Sequence, residues 1–131
     1  YKKALFESGL SFHEDLLFTG SFDEKTGSKY GEIISNLDST PDAVVITDDL
    51  VAFGAVRAFE QRGVKIPENI AVASFNNSIL ARFSNTPITS VDVNAASLGS
   101  EAIRLLVDAI EKGTRGREVI TPYTIFKRKS T

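Results

Sequence analysis

Residues 41–63 read PDAVVITDDLVAFGAVRAFEQRG. This stretch decides the fold. Ala43-Val44-Val45-Ile46 is a short, unbroken apolar run, the pattern of a strand buried on both faces. Thr47, Asp48 and Asp49 follow as an acidic turn, and from Leu50 a helix of about thirteen residues runs on to Gly63, a C-terminal stop. A strand that hands its last residues to a helix N-terminus is the unit of an open α/β sheet, and such sheets take ligands at that end.

Working outward, composition narrows the class. The chain has 131 residues, enough for one domain or one lobe of a larger one. Apolar residues make up 42%, which supports a packed core. The net charge of −2 includes no strongly basic segment, so no nucleic-acid surface is expected on this chain. There is no cysteine, which excludes disulfides, thiolate nucleophiles and cysteine-held metals. No apolar run approaches the roughly 20 residues that span a bilayer, and no signal-peptide pattern precedes the fold, so no membrane partner is expected. The chain opens on YKKALFESGL without a methionine and reads as mid-helix, which leads us to expect a natural protein that continues N-terminally.

In order, residues 1–9 read as the end of a helix closed by Gly9, with Tyr1, Ala4 and Leu5 on one face. Leu16 to Thr19 reads as a short strand closed by Gly20. Asp23 is placed to cap a helix over 24–38 whose apolar stripe is Tyr30, Ile33, Ile34 and Leu37. The central strand and helix follow. Ile70 to Phe75 is the next strand, then a polar turn, Asn76-Asn77, and a short helix at 78–83. A strand covers Ile88 to Val93, and Asn94 caps a long helix over 95–112 with a polar stripe of Glu101, Arg104, Asp108 and Glu111. A charged turn leads to a last strand within 119–128. Strands alternating with helices define an α/β fold with a Rossmann-like parallel sheet and helices on both faces.

These motifs together resemble the effector-binding core of the lactose/galactose-repressor (LacI/GalR) family of bacterial transcription regulators. The residues that carry the resemblance are Gly20-Ser21-Phe22 with Gly27; Pro41-Asp42-Ala43 through Asp49, Ala52 and Gly54; Gly63 to Pro67; Ile70-Ala71-Val72; Phe75-Asn76-Asn77; Pro87 to Val91; Gly99 with Ala102; and Lys127 to Thr131. Each is weak alone, but their order spans nearly the whole chain. The resemblance implies one lobe of a type I periplasmic-binding-protein-like fold. Residues 1–92 form its C-terminal lobe, residues 93–114 a crossover helix belonging to the other lobe, and residues 115–131 a returning strand. It implies a small-molecule effector in the cleft between lobes, a homodimer, a cytoplasmic location, and operator DNA bound by an N-terminal helix-turn-helix absent from this chain.

A sugar pocket needs an aromatic platform and fixed hydrogen-bonding groups. Three residues are candidates. Phe22, in a glycine-bounded turn, either plugs the core of its own lobe or, as the resemblance implies, stacks on the effector. Asp49 reads as the N-cap of the central helix, which leaves Asp48 for ligand contact, where the family often places a polar residue. Asn76 is a departure: the family usually has an aspartate here, and an amide both donates and accepts without carrying charge. Asn76 is either a ligand contact or a plain polar turn. Ser74-Phe75-Asn76-Asn77 with Ser90 to Asn94 also resembles maltose-operon regulators, which would make the effector an α-glucoside such as maltose.

The central helix is two-faced. Ala52, Ala55, Val56 and Phe59 form its inner stripe, while Leu50 and Phe53 lie on the opposite half. With Ile79, Leu80 and Phe83 of the next helix they form an apolar patch, which the resemblance implies is the dimer interface. His13, the only histidine, and the run Lys127-Arg128-Lys129 read as solvated.

No enzyme is expected: there is no Gly-rich phosphate loop and no paired nucleophile and base, and no catalytic residue, metal or cofactor is assigned. A periplasmic sugar-binding protein of the same fold is the second reading. A phosphoacceptor receiver holding Mg²⁺ on Asp48 and Asp49 is the third, but the acid pair follows the wrong strand for it.

Overall fold

The run Ala43-Val44-Val45 forms β1 (Ala43–Val45) in a computed structural model that describes residues 1–131. It pairs in parallel with β2 (Ala71–Phe75), which pairs in parallel with β3 (Thr89–Asp92). A fourth strand, β4 (Thr124–Phe126), closes the sheet antiparallel to β3 and is much shorter than the 119–128 segment that alternates in sequence. The strand order is β1-β2-β3-β4.

The helices are α1 (Lys2–Glu7), α2 (Glu24–Ser35), α3 (Asp49–Gln61), α4 (Ile79–Phe83) and α5 (Ala95–Lys112). The inner stripe Ala52, Ala55, Val56 and Phe59 of α3 is buried, and with Ile34, Ile70, Val72, Ala81 and Ile88 it makes the core. Gly63, at φ +72°, lets the chain leave α3 in the left-handed region.

Helices α2 and α3 lie side by side at unusually close range. A Cβ on Gly27 would fall 1.9 Å from the Val51 carbonyl oxygen, and one on Gly54 would fall 2.2 Å from the Glu24 carbonyl oxygen. Gly27 faces Val51 and Ala55, and Gly31 faces Ala55 and Ala58, so partners advance together and the helices run parallel. The stripe of α2 is therefore not the one its large residues trace. Gly27, Gly31 and Ile34 are buried, whereas Ile33 is exposed. The helix also stops at Ser35 rather than 38, with Asn36 bonding back to the Glu32 carbonyl oxygen.

Leu16 to Thr19 does not form a strand. Glu14–Leu16 is a single 3-10 turn, and the extended residues that follow join no ladder. The Phe18 side chain packs on the core, and the Thr19 carbonyl oxygen accepts from the Tyr30 hydroxyl at 2.6 Å, which replaces a ladder bond. His13 is exposed in the loop before that turn.

Helix α5 has the bounds its pattern sets, with Asn94 capping Ser97 N–H at 3.2 Å and Gly113 closing it at φ +67°. Asp108 is its one buried residue, ringed by Arg104, Lys112 and Arg117. Lys112 leads in holding the Asp108 carboxyl below its usual pKa. Its apolar residues, by contrast, are open: Leu98, Ile103, Leu106, Val107 and Ile110 are all exposed, Ile110 by 75%. No helix of the structure is long and apolar enough to cross a membrane.

Candidate ligand-binding site

Strand register decides what meets at the carboxyl ends of the sheet. Val45 of β1 pairs with Ala73 of β2. Counting equally onward along each chain leads from these two to Asp48 and Asn76, so the two turns converge. The Asn76 Nδ2 donates to Asp48 Oδ2 at 2.9 Å. Oδ1 and one N–H of the Asn76 amide have no protein partner, and the residue is exposed.

The two aspartates exchange the roles their sequence order implies. Asp48, in extended backbone, is the N-cap of α3, and its Oδ1 accepts from Leu50 N–H at 2.8 Å. Asp49 is not the cap. It is the first helical residue and is almost fully buried. Its Oδ1 accepts from the Ser74 and Ser90 hydroxyls, the latter at 2.8 Å, and its Oδ2 from Ser78 N–H at 2.5 Å. One carboxylate thus ties β2, β3 and the start of α4 to the start of α3. Buried carboxylates persist where several donors satisfy their lone pairs.

Phe22 lies in the bend just before Asp23, whose side chain caps α2 by accepting from Thr26 N–H at 2.7 Å. Its ring is 71% exposed, which removes the core-plug reading. Because α2 and α3 run parallel, the N-terminal end of α2, with Phe22, lies at the same end of the helix pair as Asp48.

The turn Asn76-Asn77 has both residues at positive φ, +93° and +49°. Asparagine tolerates this region better than most residues, but it still needs external support. Asn76 N–H donates to the Val91 carbonyl oxygen at 2.8 Å, and Asn77 N–H donates to the Ser90 hydroxyl at 3.0 Å. The buried Asn77 side chain donates to Asp92 Oδ2 at 3.0 Å and accepts from Arg128. Arg128 also donates to the Ile88 carbonyl oxygen at 2.6 Å. The run Lys127-Arg128-Lys129 is thus not solvated throughout: Lys127 and Lys129 are exposed, while Arg128 turns inward. The Asn77 amide, followed by the Asn94 N–H, holds the Asp92 carboxyl below its usual pKa. Sequence patterning assigned nothing to Asp49, Asn77, Asp92 or Arg128 beyond a cap, a turn or a solvated charge. The paired asparagines were the one local sign of a special turn.

In the apolar patch, Leu50 is 37% exposed, Ile79 67% and Phe83 79%. Phe53 and Leu80 are half-buried, and the Arg57 guanidinium lies 5.8 Å from the Phe53 ring centre. Helix α4 packs on α3. No group of three His, Asp or Glu side chains is arranged to hold a metal.

Such an arrangement defines a class: a Rossmann-like lobe presenting a hydrogen-bonding pair at the carboxyl end of its sheet and an exposed aromatic before α2. All of residues 1–131 match the periplasmic binding protein-like domain family. The chain belongs to that family, and solved structures that it superposes on are LacI-type transcriptional regulators. Over 118 residues it is 31% identical to the HTH-type transcriptional repressor PurR of Pasteurella multocida, covering 90% of this chain and 35% of that protein. It is 30% identical over 127 residues to the HTH-type transcriptional repressor MelR of Bacillus subtilis, covering 97% and 37%. Among solved structures, a putative LacI transcriptional regulator from Bacillus cereus superposes with a TM-score of 0.89 at 29% identity, over 99% of this chain and 46% of that one. A regulator CelR solved with cellobiose superposes at 0.86 and 29% identity, over 100% and 40%. The chain therefore spans somewhat over a third of the curated relatives it matches.

Proposed function

We propose that this chain is the effector-sensing and dimerising part of a cytoplasmic bacterial transcription regulator, with a sugar as effector and operator DNA bound by a separate N-terminal domain. The observation that carries the reading is the Asp48–Asn76 pair at the carboxyl ends of adjacent parallel strands, 2.9 Å apart and open to solvent. An amide with a free acceptor and a free donor, beside a carboxylate, suits vicinal hydroxyls. Phe22 at the same rim would supply the stacking face. Asp48, Asn76 and Phe22 are the residues assigned to the ligand. Leu50, Phe53, Ile79, Leu80 and Phe83 are assigned to the partner subunit. A related regulator has been solved with cellobiose, which supports a glucoside as the class; maltose is the narrower reading.

The exposed apolar face of α5 supports the division in which residues 93–114 pack in the other lobe, residues 1–92 form the C-terminal lobe and residues 115–131 return to it. Ligand between lobes then favours one lobe orientation, and the dimer passes that bias to the DNA-binding heads by population shift. Relatives that are transcriptional repressors favour this reading over a periplasmic carrier and over an enzyme.

Calorimetry of the full-length protein against glucose, maltose, sucrose and cellobiose tests it. Asn76→Ala and Phe22→Ala should each weaken the bound sugar by about tenfold or more, the value of about one hydrogen bond or stacking contact. Full affinity in both variants defeats the site assignment.

A further inference from the structure

Asp92 stands where β3 ends and the chain turns toward α5. Its two carboxylate oxygens serve different parts of the molecule. Oδ2 accepts from Asn77 Nδ2 at 3.0 Å, in the turn that carries Asn76. Oδ1 accepts from the Asn94 N–H at 2.8 Å, and Asn94 in turn caps α5 through Ser97 N–H. Both ends of this bridge are held in the left-handed region, Asn77 at φ +49° and Asn94 at φ +50°. Asparagine enters this region more readily than other residues with a side chain.

The geometry points to Asp92 as a positioning residue that mechanically joins the Asn76-Asn77 turn to the first turn of α5. The inference rests on the ligand reading only for its consequence: a sugar hydroxyl that engages Asn76 also loads the start of the helix that leaves this sheet. Other contacts of the turn run to β3 and to the start of α3: Asn76 N–H to the Val91 carbonyl oxygen, Asn77 N–H to the Ser90 hydroxyl and Asn76 Nδ2 to Asp48. Arg128 and Arg82 bind Asn77, the first through the side-chain oxygen and the second at 3.3 Å through the carbonyl oxygen, and neither reaches α5. Asp92 is the side chain that bonds both the turn and the residue that caps α5.

Backbone amide exchange on the full-length protein tests this. Without ligand, Asp92→Ala should speed exchange by about tenfold or more both at residues 76–78 and at residues 97–98, because the Asn77 side chain and the Asn94 N–H, which brace these two turns, lose their shared acceptor. Asp92→Asn keeps one side-chain oxygen for the nearby Asn94 N–H. It should therefore protect residues 97–98 as in the wild type while residues 76–78 exchange faster. Acceleration at only one end in the alanine variant, or at neither, overturns the bridge. Far-UV circular dichroism and melting of both variants check that the fold is retained, and the asparagine variant decides the matter if the alanine variant unfolds. Maltose, sucrose and cellobiose are then added. In the wild type, a sugar that slows exchange at 76–78 should also slow it at 97–98; in Asp92→Asn it should slow only 76–78. Slowing at both ends in Asp92→Asn also overturns the bridge. If no sugar binds, the ligand reading fails instead, and the ligand-free comparison still decides the role of Asp92.

Discussion

Ser130 is fully buried between β2 and the start of β3, and it joins them with all its polar groups. Its carbonyl oxygen accepts from Val72 N–H at 2.8 Å, and its hydroxyl donates to the Val72 carbonyl oxygen at 2.6 Å while accepting from Thr89 N–H at 2.8 Å. Its own N–H donates to the Pro87 carbonyl oxygen at 3.1 Å. Ser130→Ala leaves the backbone intact but strips partners from two buried groups, so it should cost about 1–3 kcal/mol in urea unfolding. A loss below about 0.5 kcal/mol, the range of ordinary surface changes, would mean that the hydroxyl is replaceable there. Roles of this kind are hard to read from sequence. Asp23 and Asn94 were legible as caps because each bonds an N–H within its own next turn. Asp49 and Asp48 were exchanged because the partners of Asp49, Ser74, Ser78 and Ser90, lie on later elements. Nothing local distinguishes a buried carboxylate from the cap beside it.

At the scale of elements, the α2–α3 contact depends on the absence of side chains. Gly27→Ala would drive a methyl into the Val51 carbonyl group, with backbone on both sides and no flexible group to yield. The helices must separate, and overpacking of this sort should cost about 1–3 kcal/mol, measured as a shift in the urea midpoint at unchanged m-value. The first turn of α2 also carries a proton-linked part. The bond from Thr26 N–H, first among its causes, holds the Asp23 carboxyl below its usual pKa. A depressed carboxyl stabilises the fold above its unfolded pKa, about 3.9, and that contribution is lost as pH falls through the lower folded value. Exchange at the Thr26 amide should therefore rise as pH falls below about 4, after correction for intrinsic rates, and Asp23→Asn, which keeps a capping oxygen, should flatten the rise. The strand–helix alternation and the bounds of α5 were legible because apolar periodicity and capping agree along it, and α3 was legible from its periodicity and Gly63, with its start displaced by one residue. The α2 stripe was not, since a contact made by glycines leaves no apolar signature. Leu16 to Thr19 misled because an extended apolar run becomes a strand only when a ladder edge receives it.

At the scale of the whole molecule, the apolar surfaces on α5 and on α3 with α4 call for different partners. The face of α5 is the larger, with Ile103, Leu106, Val107 and Ile110 exposed on one helix, and the division of lobes proposed above assigns it to chain beyond these residues. The patch on α3 and α4 belongs to elements already packed on this sheet, so the second lobe proposed above is not needed to explain it. Leu50, Ile79 and Phe83 are exposed there, and Phe53 is half-covered by Arg57. Burying a large apolar side chain stabilises by about 1.5–3 kcal/mol, so two of them at a dimer interface account for about a hundredfold or more in association. Leu50→Glu with Phe53→Glu reverses that contribution and adds the cost of desolvating charge in each copy of a two-fold contact. Sedimentation of the full-length protein should then show monomers at concentrations where the wild type is dimeric. The single variant Phe83→Asp, at the most exposed position of the patch, should weaken the dimer with little effect on melting of the subunit. Unchanged sedimentation in both variants, with the fold retained, would remove the patch from the interface.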